Sequence, residues 1–511
     1  MAILDLTLLA AYLMGILLLS WLIARRQKSG TDYFLAGRNM GGGLLAMSVL
    51  ANQVSAVSLV GAPAFVALRA GGGLRWLQYE LALPLAMLAL MVCLLPLLRT
   101  ARGSSIYTFA EQRFGRGMRR ALAGSFLLSR GLSLGVILYA SALVVARATG
   151  WSVDGAILAV GLFSVAYTSL GGIAADIWSD LLQLIVLWIG TIASSIYLLW
   201  RHGWGLITAI PTERTGALAF HSWGITDGQM FGFWPMLFGG FFLYLSYYGC
   251  DQSQAQRLLA ARSKEDARNV LLLNGLLRFP LVLTYCLFGL LLAGLLRVDF
   301  VFAAAVASGP IDGLVPTFMA TYLPTGLRGL LMAALLAAAM SSIDSALNSL
   351  AAVTAEDVFG RLPEQQSVWT GRAVSIAWGL FAVSSGLWFA RANTGVLELI
   401  NQVGSVFYGP VLAVFAMGVF APRIGGTPAL VGMATGFAGN LLLARLAPGV
   451  SWLWWNPAGF LVALGVGLGM SRSWLHWPPL EWPRMPTRLL LGAFLLMLAL
   501  LVMISRLGGV A

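Results

Sequence analysis

The stretch "SVLANQVSAVSLVGAPAF", residues 48–65, places Asn52, Gln53, Ser55 and Ser58 inside an otherwise apolar run, with Gly61 and Pro63 just beyond them. Pro63 weakens the helical ladder one turn before itself, and Gly61 adds backbone freedom. The pattern reads as a helix broken partway through, with backbone carbonyls freed to bind something. The plainer alternative is a kinked but well-packed helix.

The chain around this stretch has the composition of a membrane protein. Of 511 residues, 59% are hydrophobic and 10% charged, with a mean hydropathy of +0.84. A soluble domain carries roughly 25% charged residues. Apolar segments long enough to cross a bilayer recur from end to end. They place helices at about 3–24, 42–69, 74–98, 119–149, 153–171, 174–200, 231–257, 266–296, 326–355, 368–391, 396–421, 426–447, 453–471 and 487–506, roughly fourteen spans. This is an all-α polytopic chain in which residues 1–511 form one transmembrane domain.

The net charge of +12 follows the loops. One alternate set holds Arg25, Arg26, Lys28 and Arg38, then Arg99, Arg102, Arg113, Arg116, Arg119 and Arg120, then Arg257, Arg262, Lys264 and Arg268. By the positive-inside rule that set is cytoplasmic, which puts both termini outside a cell inner (plasma) membrane. The charge therefore marks topology and anionic lipid headgroups, and gives no reason to invoke nucleic acid. The N-terminal "MAILDLTLLAAYLMG" lacks a basic n-region and reads as an uncleaved first span. Cys93, Cys250 and Cys286 all fall in apolar spans, so neither a disulfide framework nor a metal cluster is expected.

Ionisable side chains within spans are expensive and mark function by default. Here they are Glu80, Arg130, Asp176, Asp180, Asp251, Arg278 and Asp344. Asp176, near the start of its helix, reads as structural; Asp180, one turn deeper, is the better functional candidate. Arg130 is placed to grip a carboxylate bidentately, on a substrate or on Asp180 or Glu80.

A second stretch sharpens the chemistry. "AAAMSSIDSALNSL", residues 337–350, sets Ser341, Asp344 and Ser345 on one helical face with Ser342 beside it, and Asn348 and Ser349 extend that face. Several neutral hydroxyls with one carboxylate suit a weakly held monovalent cation better than Ca²⁺ or Mg²⁺. Helix packing explains the alanines and some serines, but not Asp344.

"DYFLAGRNMGGGLLAMSVLANQVSA", "SSIYTFAEQRFG", "GGIAADIWSDLLQ", "YYGCDQSQAQRLLAARS", "AAAMSSIDSALNSL" followed by "AAVTAEDVF", and "INQVGSVFYGPVLAVF" occur in this order along the chain. With them the sequence resembles the sodium:solute symporter family, which includes sodium/sugar, sodium/monocarboxylate, sodium/iodide and sodium/proline cotransporters. The resemblance implies a LeuT-like fold of two inverted five-helix repeats, at about 42–200 and 231–421, flanked by residues 1–41 and 422–511. It implies a main Na⁺ site made by the carbonyls of Ala51 and Val54 with Ala338, Ser341 and Ser342. It implies a second Na⁺ site from Asp180, Asp344 and Ser345, sharing Ser341.

On the solute side, Glu80 matches a sugar-contacting glutamate of the sugar carriers. Ser58, Arg278 and Asp251 stand where those carriers have glutamine, lysine and asparagine. Gln53, Ser55, Arg130 and Gln402 complete the candidate solute-binding set. The stretch "NQVSAVSLVGAPA" is closer to the carboxylate- and iodide-carrying branch.

The expected function is a sodium-coupled symporter importing a small organic solute, a monocarboxylate or other small anion, by alternating access with one or two Na⁺ per cycle. Its partners are the solute, sodium ions and the lipid bilayer, with no obligate protein partner. A sodium/sugar symporter is the alternative within the class, and protons at Asp180 or Asp344 are the alternative coupling ion. A membrane sensor is the rival outside it, although "RLGGVA" leads into no signalling domain. An enzyme is not expected: His202, His221 and His476 all lie in loops, with no nucleophile elbow. Nothing resembles the ringed filter of a passive channel.

Overall fold

A 50-residue helix is about 75 Å long, more than twice the thickness of a bilayer core. The computed structural model contains one such run, Val153–His202, and a single glycine divides it. Gly172 sits at φ 56°, ψ −161°, so the helix breaks there into two. A Cβ at Gly172 would meet the carbonyl oxygen of Tyr33 at 2.6 Å, so only glycine fits the turn.

The structure describes residues 2–54, 56–98, 104–226, 228–309, 311–360, 364–392 and 396–507. The helices used below are α1 (Ile3–Ala24), α2 (Gly30–Leu35), α3 (Gly42–Gln53), α4 (Ala56–Leu68), α5 (Gly73–Leu98), α6 (Thr108–Phe114), α7 (Arg116–Thr149), α8 (Val153–His202) and α9 (Gly240–Gly249). They continue with α10 (Gln252–Ala260), α11 (Lys264–Val298), α12 (Leu327–Val353), α13 (Glu364–Ala392), α14 (Val396–Phe420), α15 (Gly426–Leu446), α16 (Trp455–Ser471) and α17 (Arg484–Leu507).

Among the described residues, ten helices are long and apolar enough to cross a membrane, or eleven if α3 and α4 form one bent span. The expected fourteen exceed the ten by four: the span expected at 42–69 is the bent pair α3 and α4, of that expected at 396–421 only the shorter apolar helix Gly404–Phe420 qualifies, and two more differ as follows. The two spans expected at 153–171 and 174–200 form one run joined at Gly172. The span expected at 231–257 is not continuous: a π-turn at Pro235–Gly239 leads into α9, the chain leaves the helix at Cys250 and Asp251, and α10 starts afresh. Asp251 causes the restart, because its side chain accepts the Ser253 N–H at 2.8 Å and so caps α10.

α12 is the central rod. It packs against α1, α3, α4, α7, α8, α10 and α13. Of its apolar window 94% is buried, against 11% for α1, whose Ile3, Leu4, Met14 and Leu18 face outward as a lipid-facing helix would. The alanines of α12 allow this crowding, since Ala334, Ala337, Ala339 and Ala346 are fully buried.

The outer helix α1 is nevertheless fastened to that rod. Gly326 precedes α12 at φ 92°, and no side chain of its own caps the helix. Asp5 of α1 supplies the missing acceptor: its Oδ1 takes the N–H groups of Gly326 at 2.8 Å and Gly329 at 3.0 Å. Arg328 Nε donates to the other carboxylate oxygen at 3.1 Å. Asp5→Ala removes a cap and strands Arg328, so it lowers unfolding stability by about 1–3 kcal/mol. A thermal-melt comparison with wild type in the same detergent checks this, and an unchanged midpoint refutes it.

Candidate functional site

The helix read from "SVLANQVSAVSLVGAPAF" is broken in the structure. α3 ends at Gln53, Val54 turns out of the helix at φ −93°, ψ 86°, and α4 runs off at 56° to α3. The last turn of α3 thereby loses its helical acceptor pairing. Ala51 O takes the Val54 N–H at 3.0 Å, and Asn52 O takes the Ser342 hydroxyl of α12 at 3.3 Å. The Asn52 side chain is buried, and neither its Oδ1 nor its Nδ2 has a partner. Ala338, Ser341 and Ser342 lie buried on the stretch of α12 that packs against α3 and α4. Break carbonyls, two hydroxyls and an unsatisfied amide are the ligand types that suit a monovalent hard cation.

One turn along α12, the Asp180 and Ser345 expected together do meet, but around a residue read from sequence as a loop cation. Arg257 of α10 is only 1% exposed. Its Nη2 lies 2.8 Å from Asp180 Oδ2, 3.0 Å from Asp176 Oδ2 and 2.5 Å from Ser345 Oγ. Its Nε donates to Ser48 Oγ at 2.6 Å and its Nη1 to Ser253 O at 2.7 Å. Ser341 Oγ donates to Asp180 Oδ1 at 2.5 Å, and Ser48 Oγ to Asp180 Oδ2 at 2.5 Å. Asp176 is thus an equal member of this cluster alongside Asp180.

The hint was present in "DQSQAQR". Positions 253, 254, 260 and 261, the helical neighbours of Arg257, are Ser, Gln, Ala and Ala. No carboxylate on its own helix can pair with it, so the partner had to come from elsewhere in the fold.

Asp344 departs from the expected set. Its Oδ1 accepts the Thr168 hydroxyl of α8 at 2.9 Å, and its buried Oδ2 has no partner. On a helix, residues 341 and 344 are about 60° apart, enough to send the two side chains into different interfaces.

The candidate solute residues fall into two groups. In the first, Arg278 of α11 donates from Nε to Glu80 Oε2 at 2.8 Å, Tyr244 donates to Glu80 Oε1 at 3.3 Å, and Arg278 lies 5.7 Å over the Tyr244 ring. Tyr248 donates to Gln53 Oε1 and stands 3.3 Å from Asn274 Oδ1. Arg278 Nη1 is buried without a partner. Ser58 is half-buried on the first turn of α4. Sequence reasoning did not single out Tyr244, Tyr248 or Asn274, whose side chains are shared with apolar packing and carry no charge.

Arg130 and Asp251 belong to the second group. Arg130 pairs with neither Asp180 nor Glu80: its Nη2 donates to Ser253 Oγ at 3.1 Å, it faces Asp251, Tyr247 and Tyr408, and its Nε has no partner. Asp251 also accepts the Ser253 hydroxyl and, with Ser129, Ser246 and Tyr408, lines a cleft. Ser55 and the side chain of Gln402 lie outside the described residues.

Comparison with known proteins bears on the family and the fold. Sodium-coupled monocarboxylate transporter 2 of Bos taurus is 27% identical over 81% of this chain and 67% of its own length. Sodium-coupled monocarboxylate transporter 1 of Homo sapiens is 30% identical over 81% of this chain and 68% of its own. A solved Na⁺-coupled sialic acid symporter has the same fold, with a TM-score of 0.80 at 23% identity over 94% of this chain and 99% of that one. The family model for the sodium:solute symporter family matches residues 33–436, a stretch that holds the broken helix, the Arg257 cluster and both guanidinium groups, and this chain belongs to that family.

Proposed function

We propose that this protein is a sodium-coupled symporter that carries a small monocarboxylate inward by alternating access. The observation that carries the reading is the broken helix facing Ser341 and Ser342, with Asn52 O bonded to Ser342 and the Asn52 amide left unsatisfied. In this reading Ala51 and Val54 offer carbonyls to sodium, and Ala338, Ser341 and Ser342 complete its shell. Sodium bridges α3–α4 to α12, and its departure lets the two slide apart. The inward drop of one charge through 100 mV supplies about 2.3 kcal/mol.

For the solute, a carboxylate needs a guanidinium that is not already neutralised. Glu80 balances Arg278 at contact distance, whereas Arg130 bonds the neutral Ser253 hydroxyl, keeps its Nε without a partner, and has Asp251 as a nearby charge rather than a contact ion pair. Arg130 therefore holds the carboxylate, and the Glu80–Arg278 pair with Gln53 and Ser58 shapes the other pole. The names of the monocarboxylate-carrying relatives support this class.

Two broken helices, at Val54 and at Cys250–Asp251, open the segments 42–200 and 231–421, which supports reading these as inverted repeats. The Arg-rich loops then face the cytoplasm, with both termini outside the plasma membrane.

Sodium-dependent thermal stabilisation tests the ion. At a hundred times its dissociation constant a ligand adds about 2.7 kcal/mol, so NaCl raises the wild-type melting point while KCl does not, and Ser342→Ala needs at least ~10-fold more sodium for the same shift. Equal effects of sodium and potassium on wild type would overturn the reading.

With sodium present, short monocarboxylates such as lactate add a further shift that glucose does not. Arg130→Gln abolishes the lactate shift and keeps the sodium shift. A lactate shift that survives Arg130→Gln moves the carboxylate elsewhere.

Glu80→Gln leaves Arg278 buried without its counter-charge and costs about 3–5 kcal/mol, and adding Arg278→Gln recovers part of that loss. A double-mutant cycle on denaturant unfolding reads the coupling, and strictly additive losses would show that the pair does not act as a unit.

A further inference from the structure

Asp251 is a buried carboxylate beside the guanidinium that grips the solute, and carboxylate recognition alone leaves its charge without a role. Asp251 is 8% exposed. Both hydrogen bonds it accepts among the described residues, from the Ser253 N–H at 2.8 Å and from the Ser253 hydroxyl, end on Oδ1. Its Oδ2 is left to the cleft that Asp251 lines with Tyr408. The N-terminus of α10 offsets the charge, so Asp251 does not depend on Arg130 as a counter-ion.

The hydroxyls lining this cleft are turned to the same purpose. Ser125 Oγ gives its proton to Ala121 O at 2.7 Å, Ser129 Oγ to Phe126 O at 3.3 Å, and Ser246 Oγ to Tyr408 O at 2.7 Å. A hydroxyl whose proton is committed to a carbonyl offers a ligand only its lone pairs. Arg130 faces Asp251 and Tyr408, with its Nε unpartnered. One guanidinium is thus set against a group of acceptor oxygens. A plain carboxylate answers the guanidinium, but it brings a second negative charge beside Asp251 with no proton to share between them, which is costly at low dielectric.

We propose that Asp251 is a specificity-determining residue of the solute site, and that the transported solute is a small carboxylate with a hydrogen-bond donor on its α-carbon, a 2-hydroxy or 2-amino acid. This deepens the monocarboxylate reading and rests on it. Arg130 takes the carboxylate and Asp251 Oδ2 accepts the α-donor. A solute with only hydrogen at that carbon leaves Oδ2 unpaired, and a 2-keto acid turns a carbonyl oxygen against it.

The test is solute-dependent thermal stabilisation of the purified full-length protein in saturating NaCl. The solutes are lactate and alanine, each as both enantiomers, with propionate and pyruvate, a set that differs only at the α-carbon. Lactate, alanine or both reach half-maximal stabilisation at least ~10-fold below propionate and pyruvate, the worth of one hydrogen bond to a charged group. Whichever leads tells whether the donor is a hydroxyl or an ammonium. Asp251→Asn keeps a good N-cap residue on α10 but exchanges the acceptor for an amide. In that variant the preference over propionate collapses, and pyruvate, which now meets an N–H, gains on lactate.

Propionate or pyruvate as effective as both donor-bearing acids overturns the proposal and leaves the monocarboxylate symporter standing. A preference that survives Asp251→Asn unchanged overturns it equally. Stabilisation by sodium with no response to any of the four acids overturns the monocarboxylate reading and this proposal together. Should Asp251→Asn fail to fold, Asp251→Ser, another N-cap residue, takes its place.

Discussion

A guanidinium shut away from water survives only against carboxylates, because the desolvation of each ion costs several kcal/mol. Arg257 imposes that condition on four helices at once. It holds Asp176 and Asp180 of α8, Ser345 of α12 and Ser48 of α3 in one place, and its own helix α10 is fixed by the same bonds. α10 in turn ties down the loops around it. Gln252 takes the Ile106 N–H at 2.9 Å and donates to Ser104 O, Gln256 donates to Phe34 O at 2.6 Å, and Ala260 O receives the Met40 N–H at 3.2 Å. Opening the protein at this end means moving α10, and moving α10 means pulling a charge off two acids.

The membrane character, most of the helix ends and the break near Val54 are legible in the sequence, because each follows from a local rule. Apolar length gives a span, and Pro63 with polar residues before it gives a broken helix. The site's upper half, Ser341 and Ser342 against the broken helix, follows from the same local patterns. What escapes is tertiary. Arg257 counts as a loop cation until the fold carries it inward, and Asp176 looks structural until Arg257 arrives. Asp344 shares a helical face with Ser341 on a wheel drawn in isolation, but α8 approaches from two directions and divides that face between Asp180 and Thr168. The restart at Asp251 is a capping event, and Asp251 read as a mid-span charge concealed it.

α9 shows how one short helix can serve two polar groups. Tyr244 and Tyr248, four residues apart, face Glu80 and Gln53, while Tyr247 turns to the other side and takes the Gln254 amide at 2.8 Å beside Arg130. The guanidinium groups of Arg278 and Arg130 thus lie on the two sides of these phenol rings. Each keeps an unpaired N–H, and each has a different electrostatic balance.

The clasp between Asp5 and the start of α12 gives the first helix a place in the fold's design that its position in the chain conceals. Residues 33–436 carry the family match, and α1 lies before them. Yet a Cβ at Gly329 would come within 2.6 Å of the Asp5 Cα, so α1 and the turn at 326–329 are cut to each other's shape. They are two halves of one joint, written more than three hundred residues apart. A chimera that exchanges the N-terminal helix between relatives must exchange this turn with it, or the rod bearing Ser341 and Ser342 begins without its cap.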